Sequence, residues 1–178
     1  SLTGLHPDVV EALSVANYSF TASRPGIHPF HVFQKQKTVN ARTTRYFVLK
    51  HEEKIKGLGM IVDGRETLPL ESEFPLTNFR KHSLHLMEIA RLGILPDVRS
   101  GVKTLFQAMA KQLIKDQENQ KFPPDLMLVL WTKDPKLVSF YRDKHGFKMI
   151  EDPTSLEYEN RWAFGMSASE FIDRYGGE

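Results

Sequence analysis

Three stretches of this chain carry residues whose types and spacing suit chemistry. Glu88 is a lone carboxylate inside an apolar run, residues 84–95 (LHLMEIARLGIL). Burial among apolar neighbours disfavours the charged form of a carboxylate, which suits a general base acting on an amine. The same residue serves equally well as half of a structural ion pair, for example with Arg91. Arg91 itself has two readings, a bidentate clamp for an acceptor carboxylate or a surface arginine beside the sheet. Strict strand alternation places it on the face opposite Glu88, and a bulge would change that parity.

The second stretch is Arg99, Ser100, Gly101, Val102, Lys103 and Thr104, where a strand turns into a helix. Free N–H groups at a helix N-terminus favour an anion, and glycine lets the backbone approach it closely. Arg99 and Lys103 add positive charge, so the turn reads as a pyrophosphate cradle. It is neither GxxxxGK[ST] nor GxGxxG, and both are absent from the chain. The third stretch holds Tyr141, on a helix one turn after Leu137. That phenol either packs against a sheet or donates a proton. Among the seven histidines, His28-Pro29-Phe30-His31 has ligand-like spacing. Its proline disfavours a helical pair and no carboxylate or cysteine completes a set, so no metal site is expected.

The elements that must position these groups follow from periodicity. Residues 7–16 predict a short helix with Pro7 in its first turn. Residues 17–43 read as irregular, ending in a strand near Phe33. Residues 45–50 (RYFVLK) and 56–62 (KGLGMIV) predict a hairpin across the polar stretch 51–54. A long connection over 63–82 contains LPLESEFP, and connections of that length are often functional. The run 84–95 is a long strand. In 103–117, Leu105, Phe106, Met109, Leu113 and Ile114 recur at helical spacing. Residues 126–131 (LMLVLW) predict a strand buried on both faces. Asp134-Pro135 opens a helix to about Lys144, with Gly146 as its C-terminal cap. A positive charge on His145 there would complement the helix dipole. Residues 147–150 and 161–166 are closing strands. The fold class is α/β (α+β): one mixed, mostly antiparallel sheet flanked by helices, in a single domain over 1–178.

Composition sets bounds on function. The chain has 178 residues, a formal charge of +2 and no cysteine. Disulfides, thiolate zinc sites and cysteine nucleophiles are excluded. The net charge is too small to argue for a nucleic-acid partner. No apolar run reaches bilayer length and the first 15 residues lack a secretory pattern, so the expected location is cytoplasmic.

The stretch 88–104 (EIARLGILPDVRSGVKT) resembles motif A of the GNAT superfamily, the GCN5-related or acyl-CoA N-acyltransferases. Leu95-Pro96-Asp97-Val98-Arg99 matches its hydrophobic-x-Pro-acidic-x-Arg turn. The phosphate loop that follows is one residue shorter than the family's, and Lys103 stands where Gly or Ala would fall. Residues 137–147 (LVSFYRDKHGF) resemble motif B, with one residue more than usual between its tyrosine and its glycine. Leu68-Pro69-Leu70-Glu71 with Phe74, followed by Glu88-Ile89-Ala90-Arg91, resemble the branch of N-acyl amino acid synthases and acyl-homoserine lactone synthases. That branch's N-terminal Arg, Trp and paired-Asp pattern has no counterpart in residues 1–60.

The resemblance implies acyl-CoA or acetyl-CoA as co-substrate, with acyl carrier protein as an alternative donor, and no metal. The donor would lie in a notch between the strands at 84–95 and 126–131. A primary amine of a small molecule would attack the thioester directly. Backbone N–H groups of Leu92, Gly93 and Ile94 would polarise its carbonyl. Glu88 would take the amine proton and Tyr141 would protonate the departing thiolate. Residues 68–75 would help line an acyl tunnel if the donor is long-chain. The alternative from another class is a non-catalytic module that binds acyl-CoA.

Overall fold

A two-residue turn organises the first hairpin. In the computed structural model, β1 (Thr44–His51) and β2 (Lys54–Asp63) are joined by Glu52 and Glu53, both at positive φ, 50° and 65°. Two consecutive left-handed residues give the type I′ geometry whose twist matches that of paired strands. Glutamate is a poor residue for it, so the register is held by the strands. Leu49, Ile55, Leu58, Met60 and Ile61 are all buried. The structure describes residues 7, 8, 11, 44–63, 68–72, 76, 85–95, 98, 100–123, 125–150 and 161–177. Pro7, Asp8 and Glu11 belong to the expected first helix or its edge, and Asp8 pairs with Lys50 at 2.7 Å. The irregular segment 17–43, the histidines at 28 and 31, Phe74 and Arg99 lie outside the described residues.

The remaining elements are β3 (Leu86–Ile94), α1 (Gly101–Glu118), β4 (Met127–Thr132), α2 (Lys136–Ser139, continued by a π-helical turn Phe140–Lys144), β5 (Lys148–Ile150), β6 (Trp162–Ser167) and α3 (Ala168–Tyr175). The hydrogen-bonded strand order is β1-β2-β3-β4-β6-β5. β3 and β4 run parallel, while β4–β6 and β5–β6 are antiparallel, so the sheet is mixed as expected. The chain divides into two compact units, residues 1–61 with 91–109 and residues 62–90 with 110–178.

In the first unit, the start of α1 packs tightly on the strands. A Cβ on Gly101 would lie 2.5 Å from Leu49 Cδ2 and 3.1 Å from Ile94 Cγ2. A side chain at this position would require Leu49 and Ile94 to shift. In the second unit, β4 is central. Leu128, Val129 and Leu130 are buried together with Phe147, Phe164, Met166 and Phe171. Consecutive burial along β4 is the mark of a strand covered on both faces, and such a strand reads as a continuous apolar run.

α3 was not expected from periodicity, which ended the chain in strands. Its signal is nonetheless present as Ser167-x-x-Glu170. The Ser167 hydroxyl accepts from the Glu170 N–H at 3.1 Å, the donor-satisfying half of a capping box. Ala168, Phe171 and Tyr175 then bury one face at i, i+3 and i+7. Among the described residues no helix is long and apolar enough to cross a membrane.

Candidate active site

Glu88 sits on β3 with 2% of its surface exposed. Its neighbours Leu86, Met87 and Ile89 are buried as well, so both faces of the strand are covered there. The carboxylate has a specific partner: its Oε1 accepts a hydrogen bond from the Leu70 backbone N–H at 2.5 Å. Leu70 lies in a 3₁₀ turn, Pro69–Ser72. That turn closes on itself reciprocally. The Leu68 N–H donates to Glu71 Oε2 at 2.6 Å, and the Glu71 N–H donates to the Leu68 carbonyl at 3.0 Å. Leu68, Leu70 and Leu76 are each at most 1% exposed. Burying three leucines stabilises the segment by roughly 1.5–3 kcal/mol each. The LPLE stretch is therefore anchored in the interior, and Glu88 is the polar half of that anchor. The Leu70 contact is 18 positions away and has no sequence signature, since the donor is backbone.

Glu88 is the last residue of β3 in the described register with β4. The parallel register of β3 on β4 runs Leu86–Met127, Met87–Leu128 and Glu88–Val129, and among the described residues it goes no further. β4 pairs with β6 through Thr132.

Tyr141 belongs to the helix that follows β4. Asp134 opens this helix. Its Oδ1 accepts from the Lys136 N–H at 3.0 Å, its carbonyl accepts from the Leu137 N–H, and its own N–H donates to the Thr132 hydroxyl. The expected cap is thus present, although regular helix begins only at Lys136. The helix then widens. The His145 N–H donates to the Phe140 carbonyl, the Gly146 N–H to Arg142 and the Phe147 N–H to Tyr141. Each bond spans one residue more than the corresponding bond of an α-helix ending in a Schellman cap. The extra residue between Tyr141 and Gly146, noticed as a departure from motif B, is absorbed as this π turn. Gly146, at φ +75°, reverses the chain.

The Tyr141 ring is enclosed by aromatic neighbours: Phe140 at 5.3 Å, Phe164 at 5.7 Å and Phe147 at 6.4 Å between centroids. Its hydroxyl has no hydrogen-bond partner among the described residues, and the side chain is buried. Burial, and then the negative charge of Asp134, push the phenol well above its ordinary pKa. Tyr141 therefore stays protonated across the working pH range. Leaving a buried hydroxyl without a hydrogen bond is costly.

His145 departs from expectation. Its place at a helix end predicts a positive charge that complements the dipole. It is instead 4% exposed, with Nδ1 2.6 Å from the Tyr175 hydroxyl. Burial, with Lys144 and Arg174 adding positive charge nearby, lowers its pKa to about 4 from 6.5. The folded protein thus binds this proton less readily than the unfolded chain. The neutral histidine's contribution is complete above pH 6.5 and fades as pH falls towards 4. We expect about 2 kcal/mol of stability to be lost at pH 5 relative to pH 7 through this residue. Urea unfolding of the wild type and His145→Gln at both pH values checks this. The variant should lack that part of the pH dependence, and parallel pH dependence in both proteins would contradict it.

The first unit carries the candidate phosphate and carbonyl contacts. Ser100, Lys103 and Thr104 are exposed, Val102 is half-buried and Gly101 is buried. The Gly101 N–H is spent on the Val98 carbonyl at 3.1 Å, and the Thr104 N–H is directed to Ser100 at 3.3 Å. Gly101 packs closely on Leu49 and Ile94, and helix geometry leaves the Val102 and Lys103 N–H groups as the candidate anion contacts of this turn. The first turn of α1 holds no acidic residue, as an anion site requires. Leu92 and Ile94 are half-buried and Gly93 is buried on β3. The side chain of Arg91 lies outside the described residues. Among the described residues there is no cluster of three or more metal-ligating side chains.

No family model matches the sequence, and no curated protein is significantly similar to it. Solved structures are similar in fold. FeeM, an N-acyl amino acid synthase from uncultured soil microbes, superposes with a TM-score of 0.65 at 19% identity, over 94% of this chain and 95% of that one. BjaI, a CoA-dependent acyl-homoserine lactone synthase, gives 0.56 at 16% identity over 96% and 83%. An aminoglycoside 6'-acetyltransferase type Ii gives 0.53 at 10% identity over 92% of each chain. The strand order and these similarities together show that the chain has the acyl-CoA N-acyltransferase, or GNAT, fold.

Proposed function

We propose that this chain is a single-domain N-acyltransferase that moves an acyl group from acyl-CoA, or from acyl carrier protein, to a primary amine. The observation that carries the reading is Tyr141, a buried, protonated phenol with no hydrogen-bond partner among the described residues, held in a π turn of the helix that follows β4. The amine nitrogen forms its bond to the thioester carbonyl carbon and the C–S bond breaks. Glu88 accepts the amine proton, and the Tyr141 hydroxyl bonds the departing sulfur. Burial keeps the phenol protonated, so its O–H is present to donate a hydrogen bond to the departing thiolate. N–H groups at Leu92, Gly93 and Ile94 are assigned to the carbonyl oxygen. Arg99, Ser100, Gly101, Val102, Lys103 and Thr104 are assigned to the donor's phosphates.

Similarity to an N-acyl amino acid synthase and an acyl-homoserine lactone synthase supports an amino-acid-like acceptor, with Arg91 as the clamp for its carboxylate, and the long-chain donor rests on the resemblance of residues 68–74 and 88–91 to that branch. The tie of Glu88 to Leu70 favours a second reading, a module that binds acyl-CoA without catalysis. Thermal unfolding with CoA, acetyl-CoA, decanoyl-CoA and palmitoyl-CoA tests donor binding, which both readings share. A ligand at 100 times its Kd adds about 2.7 kcal/mol. Stabilisation that grows with chain length is the expected result, and no shift with any of the four would count against CoA donors.

A further inference from the structure

The mechanism just proposed uses Tyr141 but not the groups that hold it. The π turn is a strained choice for a helix, since i→i+5 turns are rare and occur as single bulges. Relaxation to α register would rotate a residue by about 100° around the axis, because 3.6 residues make one turn. Something outside the helix must therefore hold the wide turn. α3 supplies three consecutive contacts. The Tyr175 hydroxyl meets His145 Nδ1 at 2.6 Å. The Arg174 guanidinium lies so close to Gly146 that a Cβ there would sit 2.4 Å from it. The Phe171 ring stands edge-on to Phe147 at 6.4 Å. These partners are the three residues that follow the π turn. His145 is bonded back into it through its N–H to Phe140, and its ring lies 4.6 Å from that of Phe140. Phe140 in turn packs against Tyr141.

We infer that Tyr175 and His145 are positioning residues for Tyr141, with α3 acting as the clamp that keeps the helix in π register and the Tyr141 hydroxyl aimed at the leaving sulfur. The inference rests on the reading of Tyr141 as the group that assists the thiolate. In this reading Tyr175 and His145 act through that tyrosine.

The test compares two donors in the full chain with hydroxylamine as the acceptor probe: decanoyl-CoA, and the decanoyl thioester of a nitrothiophenol. The aryl thiolate is a weak base and departs without help. Tyr175→Phe removes one hydroxyl and keeps the ring. It is expected to lower kcat about 10-fold with decanoyl-CoA and less than 2-fold with the aryl thioester, with KM little changed. His145→Asn, whose Oδ1 can take the place of Nδ1, is expected to retain more activity than His145→Ala. An equal loss on both donors, or none on either, would overturn the inference.

Tyr141→Phe is the control for the underlying reading. If it shows no donor dependence, or the wild type does not turn over the probe, that reading fails instead. The clamp is then judged by NMR, from the Tyr141 ring signals and the exchange rate of the His145 amide. Both should change in Tyr175→Phe, and unchanged signals would overturn the clamp whatever the activity.

Discussion

Tyr141→Phe should lower kcat for acyl transfer from acyl-CoA about 100-fold while leaving the fold intact. General acid assistance contributes about 10²- to 10⁴-fold, and a 100-fold loss corresponds to about 2.7 kcal/mol of transition-state stabilisation. Stability should not fall, because the hydroxyl is buried without a partner among the described residues. Removing an unsatisfied polar group from an aromatic cluster is neutral or stabilising. A variant that unfolds no earlier than the wild type yet turns over two orders of magnitude more slowly separates a chemical role from a packing one. Unchanged kcat would return Tyr141 to the role of a helix aromatic packed on Phe147 and Phe164. Since burial and Asp134 keep the phenol protonated, its ionisation should impose no basic limb on the rate profile below pH 10.

Glu88 requires two substitutions, because the structure gives it a structural contact as well as a proposed chemical one. Glu88→Gln keeps an oxygen that can accept from the Leu70 N–H but cannot take a proton. We expect a loss of 100-fold or more in kcat with less than about 1 kcal/mol lost in stability. Glu88→Ala removes the acceptor as well. It leaves a buried N–H unpaired, at a cost of about 1–3 kcal/mol, and should loosen the 68–72 turn. Urea unfolding and steady-state rates on both variants decide the matter. If Glu88→Gln is fully active and only Glu88→Ala fails, the carboxylate is a loop anchor and the base lies elsewhere.

Much of the scaffold was legible in the sequence because its signals are local. The hairpin, the continuous apolar run of β4 and the Asp134-Pro135 helix start all lie within a few residues of the elements they specify. The tie between Glu88 and Leu70 was not legible, since one partner is a backbone amide in a distant turn. Alternation along β3 also misleads, because Leu86 to Ile89 are buried on both faces and parity does not choose an environment there. His145 looked like a helix-end cation. Its partner is Tyr175, 30 positions away on a helix that the periodicity reading had not anticipated. The surplus residue after Tyr141 was visible as a spacing anomaly, but only three-dimensional structure shows it as a π turn. The cradle at 99–104 was read as a phosphate site with glycine beneath the ligand. The tight packing of Gly101 on Leu49 and Ile94, and the bond of its N–H to Val98, were not legible there.

The central claim is acyl transfer to an amine, and mass spectrometry of the products tests it most directly. The full chain is incubated with decanoyl-CoA and a mixture of the twenty amino acids, with Tyr141→Phe in parallel. The account predicts an N-decanoyl amino acid formed in step with free CoA, and about 100-fold less of both with the variant. Donor-dependent stabilisation without any acylated product, from this mixture or from simple primary amines, would contradict it and leave a protein that binds acyl-CoA but does not react it.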